Sequence, residues 1–279
     1  MPHPFAISVV IRTRDSARTL ERVILGLSRA EGDEVIVVDS GSRDATLDIA
    51  RKHGAIIVPA PGPFNYSKSL NLGFAAAKNP WVLVLSSHSI PLGSDFLGVH
   101  RREIACFPED VIVGYAPSTI TGQINPQLGE QTRFYAKEAF EQVCWLFVGN
   151  GNTIYRLGAW QELPFDEKLR TAEDKLWLKE MVSRGHRFAY VPTPRARPRY
   201  RGTLSYMFGK GFNDARAARK TASKPMRLIH LAGALKNIVR QCASQQVDVS
   251  TSLRLIAATF GQFFGSRQKY KNSAANHGE

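Results

Sequence analysis

Acidic, basic and hydroxyl side chains gather in short segments directly after predicted β-strands. Residues 12–15 (Arg-Thr-Arg-Asp) follow the first strand, residues 39–44 (Asp-Ser-Gly-Ser-Arg-Asp) the second and residues 86–89 (Ser-Ser-His-Ser) the fourth. An adjacent acidic pair, Glu173 and Asp174, opens a predicted helix. The GxGxxG and GxxxxGK[ST] phosphate loops are absent, which disfavours a dinucleotide dehydrogenase and a P-loop NTPase. A nucleotide would have to be held in another way.

Buried strands that alternate with helices are expected to position these segments. The predicted strands are residues 7–11, 34–38, 55–58, 81–85, 111–115 and 188–191, and the predicted helices are residues 20–27, 45–52, 67–77, 94–106, 135–144 and 172–184. Residues 117–135, rich in Gly, Pro, Gln and Thr, are predicted to be a loop. The alternation predicts a mainly parallel sheet with right-handed crossovers, a Rossmann-like α/β fold. Ligands bind such sheets at the carboxyl ends of the strands, so the polar segments are expected to converge.

Length and composition favour a folded cytoplasmic protein. The 279 residues are 43% apolar, which is enough for the core of one large α/β domain with extensions or of two small domains. The three cysteines are scattered singly, without the spacing of a disulfide framework or a zinc site. No secretory signal is expected at the start, and no apolar run approaches the roughly 18 residues of a spanning helix.

The positive charge is concentrated in one stretch of the chain. Residues 184–240 contain 14 lysines and arginines against one acid, Asp214, which accounts for the whole net charge of +13. This distribution points to an anionic partner for that stretch.

Beyond residue 202 the apolar pattern is helical only. We predict an α/β domain at residues 1–202, a basic amphipathic helical extension at 203–267 and a disordered tail at 268–279. Basic amphipathic helices can lie on an anionic bilayer, and they can equally pack on the α/β domain, so both alternatives stay open.

Four motifs, in this order and at these separations, resemble family 2 glycosyltransferases with the GT-A fold. They are residues 37–46 (Val-Val-Asp-Ser-Gly-Ser-Arg-Asp-Ala-Thr), 71–73 (Asn-Leu-Gly), 149–151 (Gly-Asn-Gly) and 172–177 (Ala-Glu-Asp-Lys-Leu-Trp). The resemblance covers residues 6–200. It implies an inverting transfer of a sugar from a nucleotide-diphosphate donor to an acceptor hydroxyl.

The resemblance also implies roles for individual residues. Asp39 is expected to contact the base and ribose of the donor, and Asp174 to act as the general base. The further nucleotide-sugar contacts are expected from Thr13, Arg14, Lys68, Asn71, Ser87, His88 and Ser89, and the acceptor or diphosphate contacts from Gly149, Asn150, Glu173, Arg197 and Arg199. In the alternative interpretation, Asp39 holds a turn and the Glu173–Asp174 pair caps a helix. For Asp44 the capping interpretation is preferred.

The fourth strand departs from the common family pattern. Most members end it with Asp-x-Asp, which holds Mg²⁺ or Mn²⁺, whereas this chain has Ser87, His88 and Ser89. The match is to a rhamnosyltransferase-like sub-group that reads Ser-x-His-x-x-Pro. Either His88 binds a metal with help from water and the diphosphate, or bases replace the metal, the candidates being Lys68, Arg170, Arg197 and Arg199. We expect weak or absent metal dependence.

The resulting expectation is an enzyme at the inner face of the cell membrane. dTDP-rhamnose is the expected donor, with UDP- and GDP-sugars as alternatives, and a polysaccharide or lipid-linked glycan is the expected acceptor. Residues 184–240 are expected to meet an anionic membrane surface, and nucleic acid is not an expected partner because no nucleic-acid module is present. The alternative is a catalytically inactive GT-A-like protein that binds a nucleotide-sugar or another anionic ligand.

Overall fold

The computed structural model describes residues 5–119, 124, 127–169 and 172–198, together with the helical residues 204–205, 208–209, 211–212, 232, 234–236, 238–239 and 249–265. The chain divides into two compact units, Met1–Arg199 and Tyr200–Glu279. The predicted boundary after residue 202 stays a prediction, because residues 199–203 lie outside the described residues.

An eight-stranded sheet forms the centre of the first unit. Its strands are β1 (Ile7–Thr13), β2 (Glu34–Asp39), β3 (Ile56–Pro59), β4 (Trp81–Ser86), β6 (Val111–Tyr115), β7 (Arg133–Tyr135), β8 (Asn152–Arg156) and β9 (Arg187–Tyr190), in the spatial order β3-β2-β1-β4-β8-β6-β9-β7. The first four strands pair in parallel, and β8 runs antiparallel to both β4 and β6. The predicted mixed, mainly parallel α/β sheet is therefore confirmed.

Helices cover both faces of this sheet. The helices α1 (Ala17–Leu25), α2 (Thr46–Lys52) and α4 (Phe96–Ala105) pack on one face, and α3 (Tyr66–Ala76), α5 (Lys137–Phe147), α6 (Leu157–Glu162) and α7 (Glu173–Ser183) pack on the other. Alternating strand positions explain the two cores, since Val9 and Ile11 face the first layer while Val10 faces the second. Gly73 lets α3 approach the sheet closely, because a Cβ there would lie 2.4 Å from Val10 Cγ1.

Several short elements were not predicted. The strand β8 and the helix α6 follow the Gly-Asn-Gly motif at residues 149–151. The strand β7 lies inside the segment that was predicted to be a loop. A second, two-stranded antiparallel sheet joins β5 (Ser89–Pro91) to β10 (Ala196–Pro198). Three-residue strands carry too few residues for a periodic pattern, and they form because of tertiary pairing.

The second unit is helical at its described positions, so the predicted C-terminal helices are confirmed there. The longest is α8 (Val249–Gly265). Gly211 and Gly261 lie where helical backbones meet, since a Cβ on Gly211 would be 2.1 Å from Ala258 O and one on Gly261 would be 2.0 Å from Phe208 O. In the part of the chain that the structure describes, every helix is too short or too polar to span a bilayer. The predicted disordered tail lies outside the described residues.

Candidate active site

Polar side chains from β1 and β2 meet at the carboxyl edge of the sheet. Thr13 and Asp39 end these two strands and are paired in register. Both side chains are buried, and Thr13 Oγ1 donates a hydrogen bond to Asp39 Oδ1 at 3.2 Å. The predicted neighbours Thr13 and Asp39 therefore lie together.

Asp39 also organises the turn that follows β2. Its Oδ2 accepts hydrogen bonds from Gly41 N and Ser42 N, both at 3.0 Å, and its Oδ1 accepts one from Ser42 Oγ at 2.5 Å. Gly41 adopts a φ of +85°, which a side chain would disfavour. The turn-forming alternative is thus what the structure shows for Asp39, and its contact with a nucleoside stays a prediction.

Asp44 has the capping role that was preferred for it. Its Oδ1 accepts from Thr46 N at 3.0 Å, at the first residue of α2, and its Oδ2 accepts from Ala17 N at 3.0 Å, at the first residue of α1. Asp44 thereby ties the loops after β1 and β2 to each other.

Asn71 was predicted to contact the donor, which stays a prediction, and in the structure its amide is bound by groups of the protein. Its Nδ2 donates to Phe165 O at 2.9 Å and to Glu167 Oε1 at 3.0 Å, and its Oδ1 accepts from Trp160 Nε1 at 2.9 Å and Phe165 N at 3.0 Å. All four hydrogen-bonding positions of the amide are used within the protein. Asn71 therefore fixes the segment around residue 165, which leads towards α7.

The acidic pair Glu173 and Asp174 opens α7, and Asn150 connects the two carboxylates. Asn150 N donates to Asp174 Oδ2 at 3.1 Å, and Asn150 Nδ2 donates to Glu173 Oε1 at 3.1 Å. The other oxygen of Asp174 accepts from Lys175 N at 2.8 Å. Gly149 leaves room here, because a Cβ at this position would stand 3.9 Å from Asp174 Oδ2.

The buried side chain of Tyr155 orients Asn150, which joins Glu173 to Asp174. Tyr155 OH donates to Asn150 Oδ1 at 2.6 Å, which sets the orientation of the Asn150 amide. Burial raises the pKa of Tyr155 and of Tyr115 well above the ordinary value, so both phenols stay neutral. No sequence pattern indicates this role for Tyr155, because it depends on the strand β8.

Arg12 stands beside the acidic pair. Its Nη1 lies 3.7 Å from Glu173 Oε1, and its guanidinium lies over the Tyr66 ring, 5.0 Å from the centroid. Burial, and then the neighbouring Asp174, raise the pKa of Glu173, while Arg12 acts against this shift. Arg14, which was predicted to bind the nucleotide-sugar, is exposed at the same strand end.

Lys68 lies in the first turn of α3, and its predicted contact with the donor stays a prediction. Its Nζ donates to Pro61 O at 2.9 Å, and its backbone N–H is held by the Asn65 side chain that caps α3. An ammonium group has three donors, so this contact leaves others for a ligand.

The segment that replaces Asp-x-Asp lies between β4 and β5. Ser87 Oγ is 2.8 Å from Ser16 Oγ, Ser89 Oγ is 3.1 Å from Ser118 Oγ, and His88 is half-buried in the turn between them. These hydroxyls bond to other hydroxyls, and a neutral hydroxyl is a weak ligand for Mg²⁺ or Mn²⁺. Among the described residues no three His, Cys, Asp or Glu side chains come together as a metal site. Ser87 and Ser89 therefore suit Mg²⁺ or Mn²⁺ less well than the two carboxylates of Asp-x-Asp would.

The second sheet brings Arg197 to this segment. In the β5–β10 pair, Arg197 lies opposite Ile90. Asn152 holds the preceding loop, since its Nδ2 donates to Pro194 O at 3.0 Å. Its Oδ1 contacts His100 Nε2 at 3.1 Å. Arg170 and Arg199, the other predicted bases, lie outside the described residues.

Comparison with known proteins supports a common family. The model of Glycosyl transferase family 2 matches residues 8–153. A TPR repeat-containing protein of Synechococcus elongatus is 36% identical over 81 residues, which are 29% of this chain and 20% of that protein. An uncharacterized glycosyltransferase of Mycobacterium bovis is 27% identical over 113 residues, which cover 36% of this chain and 50% of that protein. The alignments span no more than half the length of these relatives.

Solved structures share the fold. Glucosyl-3-phosphoglycerate synthase of Mycobacterium tuberculosis, in complex with Mn²⁺, UDP and glucosyl-3-phosphoglycerate, superposes with a TM-score of 0.55 at 23% identity, covering 71% of this chain and 73% of that one. Residues 1–349 of TarS from S. aureus superpose with a TM-score of 0.57 at 15% identity, covering 93% of this chain and 72% of that one. At these identities the likeness concerns the fold.

Proposed function

We propose that this chain, which belongs to glycosyl transferase family 2, moves a sugar from a nucleotide-diphosphate donor to an acceptor hydroxyl with inversion at the anomeric carbon. The observation that carries the proposal is a path of contacts at the carboxyl edge of the sheet that crosses the end of β1. Asp39 contacts Thr13 on one side of this strand, and on the other side the preceding residue Arg12 lies 3.7 Å from Glu173, which Asn150 joins to Asp174. We propose that one elongated ligand crosses this strand end and reaches both the Asp39 end and the Asp174 end of the path.

The donor is proposed to lie with its nucleoside at the Thr13–Asp39 end. Backbone N–H groups and a hydroxyl already satisfy Asp39, which holds the carboxylate still. Two hydrogen bonds already reach each oxygen of the Asp39 carboxylate, so we propose that a base N–H or a ribose hydroxyl takes the place of the Thr13 or Ser42 hydroxyl on Oδ1. Arg14 and Lys68 are the nearby exposed or half-exposed bases proposed to face the phosphates.

Asp174 is proposed to be the general base. It takes the proton of the acceptor hydroxyl as that oxygen attacks the anomeric carbon from the face opposite the diphosphate. The bond between the anomeric carbon and the diphosphate oxygen breaks, and the diphosphate leaves with the bonding pair. Asp174 is held by two backbone N–H groups, so its position does not depend on a flexible partner.

The donor set around residues 87–89 favours catalysis with little or no metal dependence. The likeness to a structure that contains Mn²⁺ keeps a divalent cation within the proposal as the alternative. Because serine hydroxyls replace the carboxylates, positively charged side chains are proposed to offset the charge on the leaving diphosphate.

The proposed donor and acceptor follow from the resemblance to the rhamnosyltransferase-like sub-group with Ser-x-His-x-x-Pro. We propose dTDP-rhamnose as donor, ahead of UDP- and GDP-sugars, and a polysaccharide or lipid-linked glycan as acceptor. The net charge of +13 in residues 184–240 supports association with the anionic inner face of the cell membrane.

A screen of nucleoside diphosphates by thermal unfolding tests the donor. With dTDP, UDP and GDP at a hundredfold excess over the dissociation constant, the bound one is expected to add about 2.7 kcal/mol of stability, with EDTA present. Asp39→Asn is expected to reduce the stabilisation, whereas the matched Asp48→Asn, at an exposed acid on α2, leaves it unchanged. If none of the three diphosphates raises the unfolding temperature, with or without Mn²⁺, the proposal is wrong.

The absent Asp-x-Asp motif favours one competing function, a nucleotide-sugar-binding protein without catalysis. Release of nucleoside diphosphate from the donor, measured with EDTA and with Mn²⁺, separates the two. Binding without any release in either condition would support the inactive protein.

A further inference from the structure

The proposed reaction places a dianionic leaving group beside two acidic side chains. Glu173 and Asp174 are both 6% exposed, and Asn150 holds them together. A diphosphate brought to this edge needs a fixed positive charge, because a like charge in a desolvated site is strongly unfavourable. The serine segment at residues 87–89 provides no carboxylate to recruit a cation.

Arg12 is the basic side chain that lies at the middle of the contact path. It pairs in register with Val38 of β2 and Ser86 of β4, at the carboxyl ends of three adjacent strands. The residue after it, Thr13, contacts Asp39, and its own side chain reaches Glu173. Lys175, the other base near the pair, lies with its Nζ 3.8 Å from Asp174 Oδ1 and donates to Val148 O at 2.7 Å, so one of its donors is used within the protein.

The surroundings of Arg12 fix the position of its guanidinium but leave some of its hydrogen-bond donors without an acceptor. The side chain is 11% exposed and stacks on Tyr66. The Nη1 group is buried and has no hydrogen-bond acceptor, since the 3.7 Å separation from Glu173 is too long for a hydrogen bond. A buried donor without an acceptor is costly, and a ligand oxygen would remove that cost after a small shift.

We infer that Arg12 binds the diphosphate of the donor and provides the fixed positive charge that a metal ion supplies in Asp-x-Asp enzymes. This inference rests on the proposed function. Tyr66 and Glu173 are its positioning residues, and Thr13 and Asp39 hold the nucleoside on the other side. A planar guanidinium suits this task because it donates two parallel hydrogen bonds to phosphate oxygens.

Calorimetric titration in EDTA tests the inference. The ligands are dTDP, UDP and GDP, and the nucleoside of whichever binds best is titrated by NMR. Arg12→Gln is expected to weaken diphosphate binding about tenfold to hundredfold while the nucleoside affinity stays within about twofold. Arg22→Gln, which removes the same charge at an exposed position of α1, is expected to change neither.

A purely structural role for Arg12 gives different results. In that case the nucleoside and the diphosphate would weaken together, or the Arg12→Gln/Glu173→Gln double variant, which also removes the buried carboxylate, would regain wild-type diphosphate affinity. Either result overturns the inference, as does wild-type affinity in folded Arg12→Gln. Should Arg12→Gln fail to fold, the double variant carries the test, and persistent loss of diphosphate affinity supports the inference. If the wild-type protein binds none of the three diphosphates, the proposed function itself fails.

Discussion

At the scale of single residues, the two carboxylates of the acidic pair differ in their surroundings. Asp174 accepts two backbone hydrogen bonds, whereas Glu173 contacts the Asn150 side chain and lies 3.7 Å from Arg12. Burial and the adjacent Asp174 raise the pKa of Glu173, which favours its protonated form relative to a free glutamate. Separate environments for two neighbouring acids suit separate roles, and they favour Asp174 as the residue that accepts the proton.

Replacing Asp174 by Asn is expected to lower the rate of sugar transfer about a hundredfold to ten-thousandfold, because the amide cannot accept the acceptor proton. Donor affinity and the unfolding temperature are expected to stay close to wild type, since the amide keeps one oxygen acceptor. Steady-state kinetics with calorimetry measures both. Glu180→Gln, at an exposed acid on the same helix, is the control, and equal turnover by Asp174→Asn and wild type would contradict the assignment.

Individual residues could be predicted from the sequence only in part. Asp39, Asp44, Glu173 and Asp174 stand out because each is an acid at a strand end or a helix start. Asn71 occurs in an equally recognisable motif, yet its partners are Phe165, Glu167 and Trp160, which lie roughly ninety residues away along the chain. Contacts between residues so far apart along the chain leave no local pattern in the sequence. For the same reason, the position of Arg12 beside Glu173 could not be predicted.

At the scale of secondary-structure elements, a buried histidine connects the helix α4 to the second sheet. His100 Nε2 contacts Asn152 Oδ1, and Asn152 holds the loop before β10. Because the Asn152 Nδ2 group donates to carbonyls, the oxygen must accept from His100, and this fixes the neutral Nε2–H tautomer. The complete burial of His100 lowers its pKa from 6.5 to about 3.

The lowered pKa of His100 predicts that the protein loses stability in mild acid. Below pH 6.5 the unfolded chain binds a proton at His100, whereas the folded protein binds it only near pH 3. The free energy of unfolding therefore falls as the pH decreases from 6.5 towards 3. At pH 5 the loss from this group is about 2 kcal/mol. His100→Gln keeps an N–H donor and removes the titration, so its unfolding free energy is expected to fall less between pH 7.5 and pH 5, as measured by urea denaturation. An equal fall in both proteins would contradict the assignment.

Regular elements were predictable where a hydrophobic period extends over several turns or a whole strand. The strands β1 to β4 and the helices between them were found within three residues because buried β-branched runs alternate with helical stripes. The strand β8 reads Asn-Thr-Ile-Tyr-Arg, and three of its five side chains, Asn152, Thr153 and Tyr155, bond to the site and the loops beside it. Because its composition is polar, no hydrophobic pattern indicates a strand there, although β8 lies between β4 and β6 in the sheet.

At the scale of the whole molecule, charge and exposed apolar surface occur in the same part of the chain. The basic stretch at residues 184–240 carries the net charge, and it contains Leu204 and Val239, which are 49% and 60% exposed. Exposed apolar side chains within a basic stretch suit the interface of an anionic bilayer.

Vesicle binding tests this proposal. The protein is expected to bind phosphatidylglycerol vesicles more tightly than phosphatidylcholine vesicles, and replacing Arg216, Arg219, Lys220 and Lys224 by Gln is expected to remove about 1 kcal/mol of binding per charge. The control replaces four exposed bases of the first unit, Arg18, Arg22, Arg51 and Lys52. Sedimentation at 0.15 M salt measures the binding. Tighter binding to an oligonucleotide than to the anionic vesicles at matched salt would contradict the membrane proposal.

The central claim is that one donor molecule joins the Asp39 end of the sheet edge to the Asp174 end. A crystal structure with the best-binding nucleoside diphosphate in EDTA tests it most directly. We expect the nucleoside against Thr13 and Asp39 and the diphosphate directed to Arg12, on the side of Glu173 and Asp174. A nucleotide bound on another surface, or one whose diphosphate points away from the acidic pair, would contradict the account.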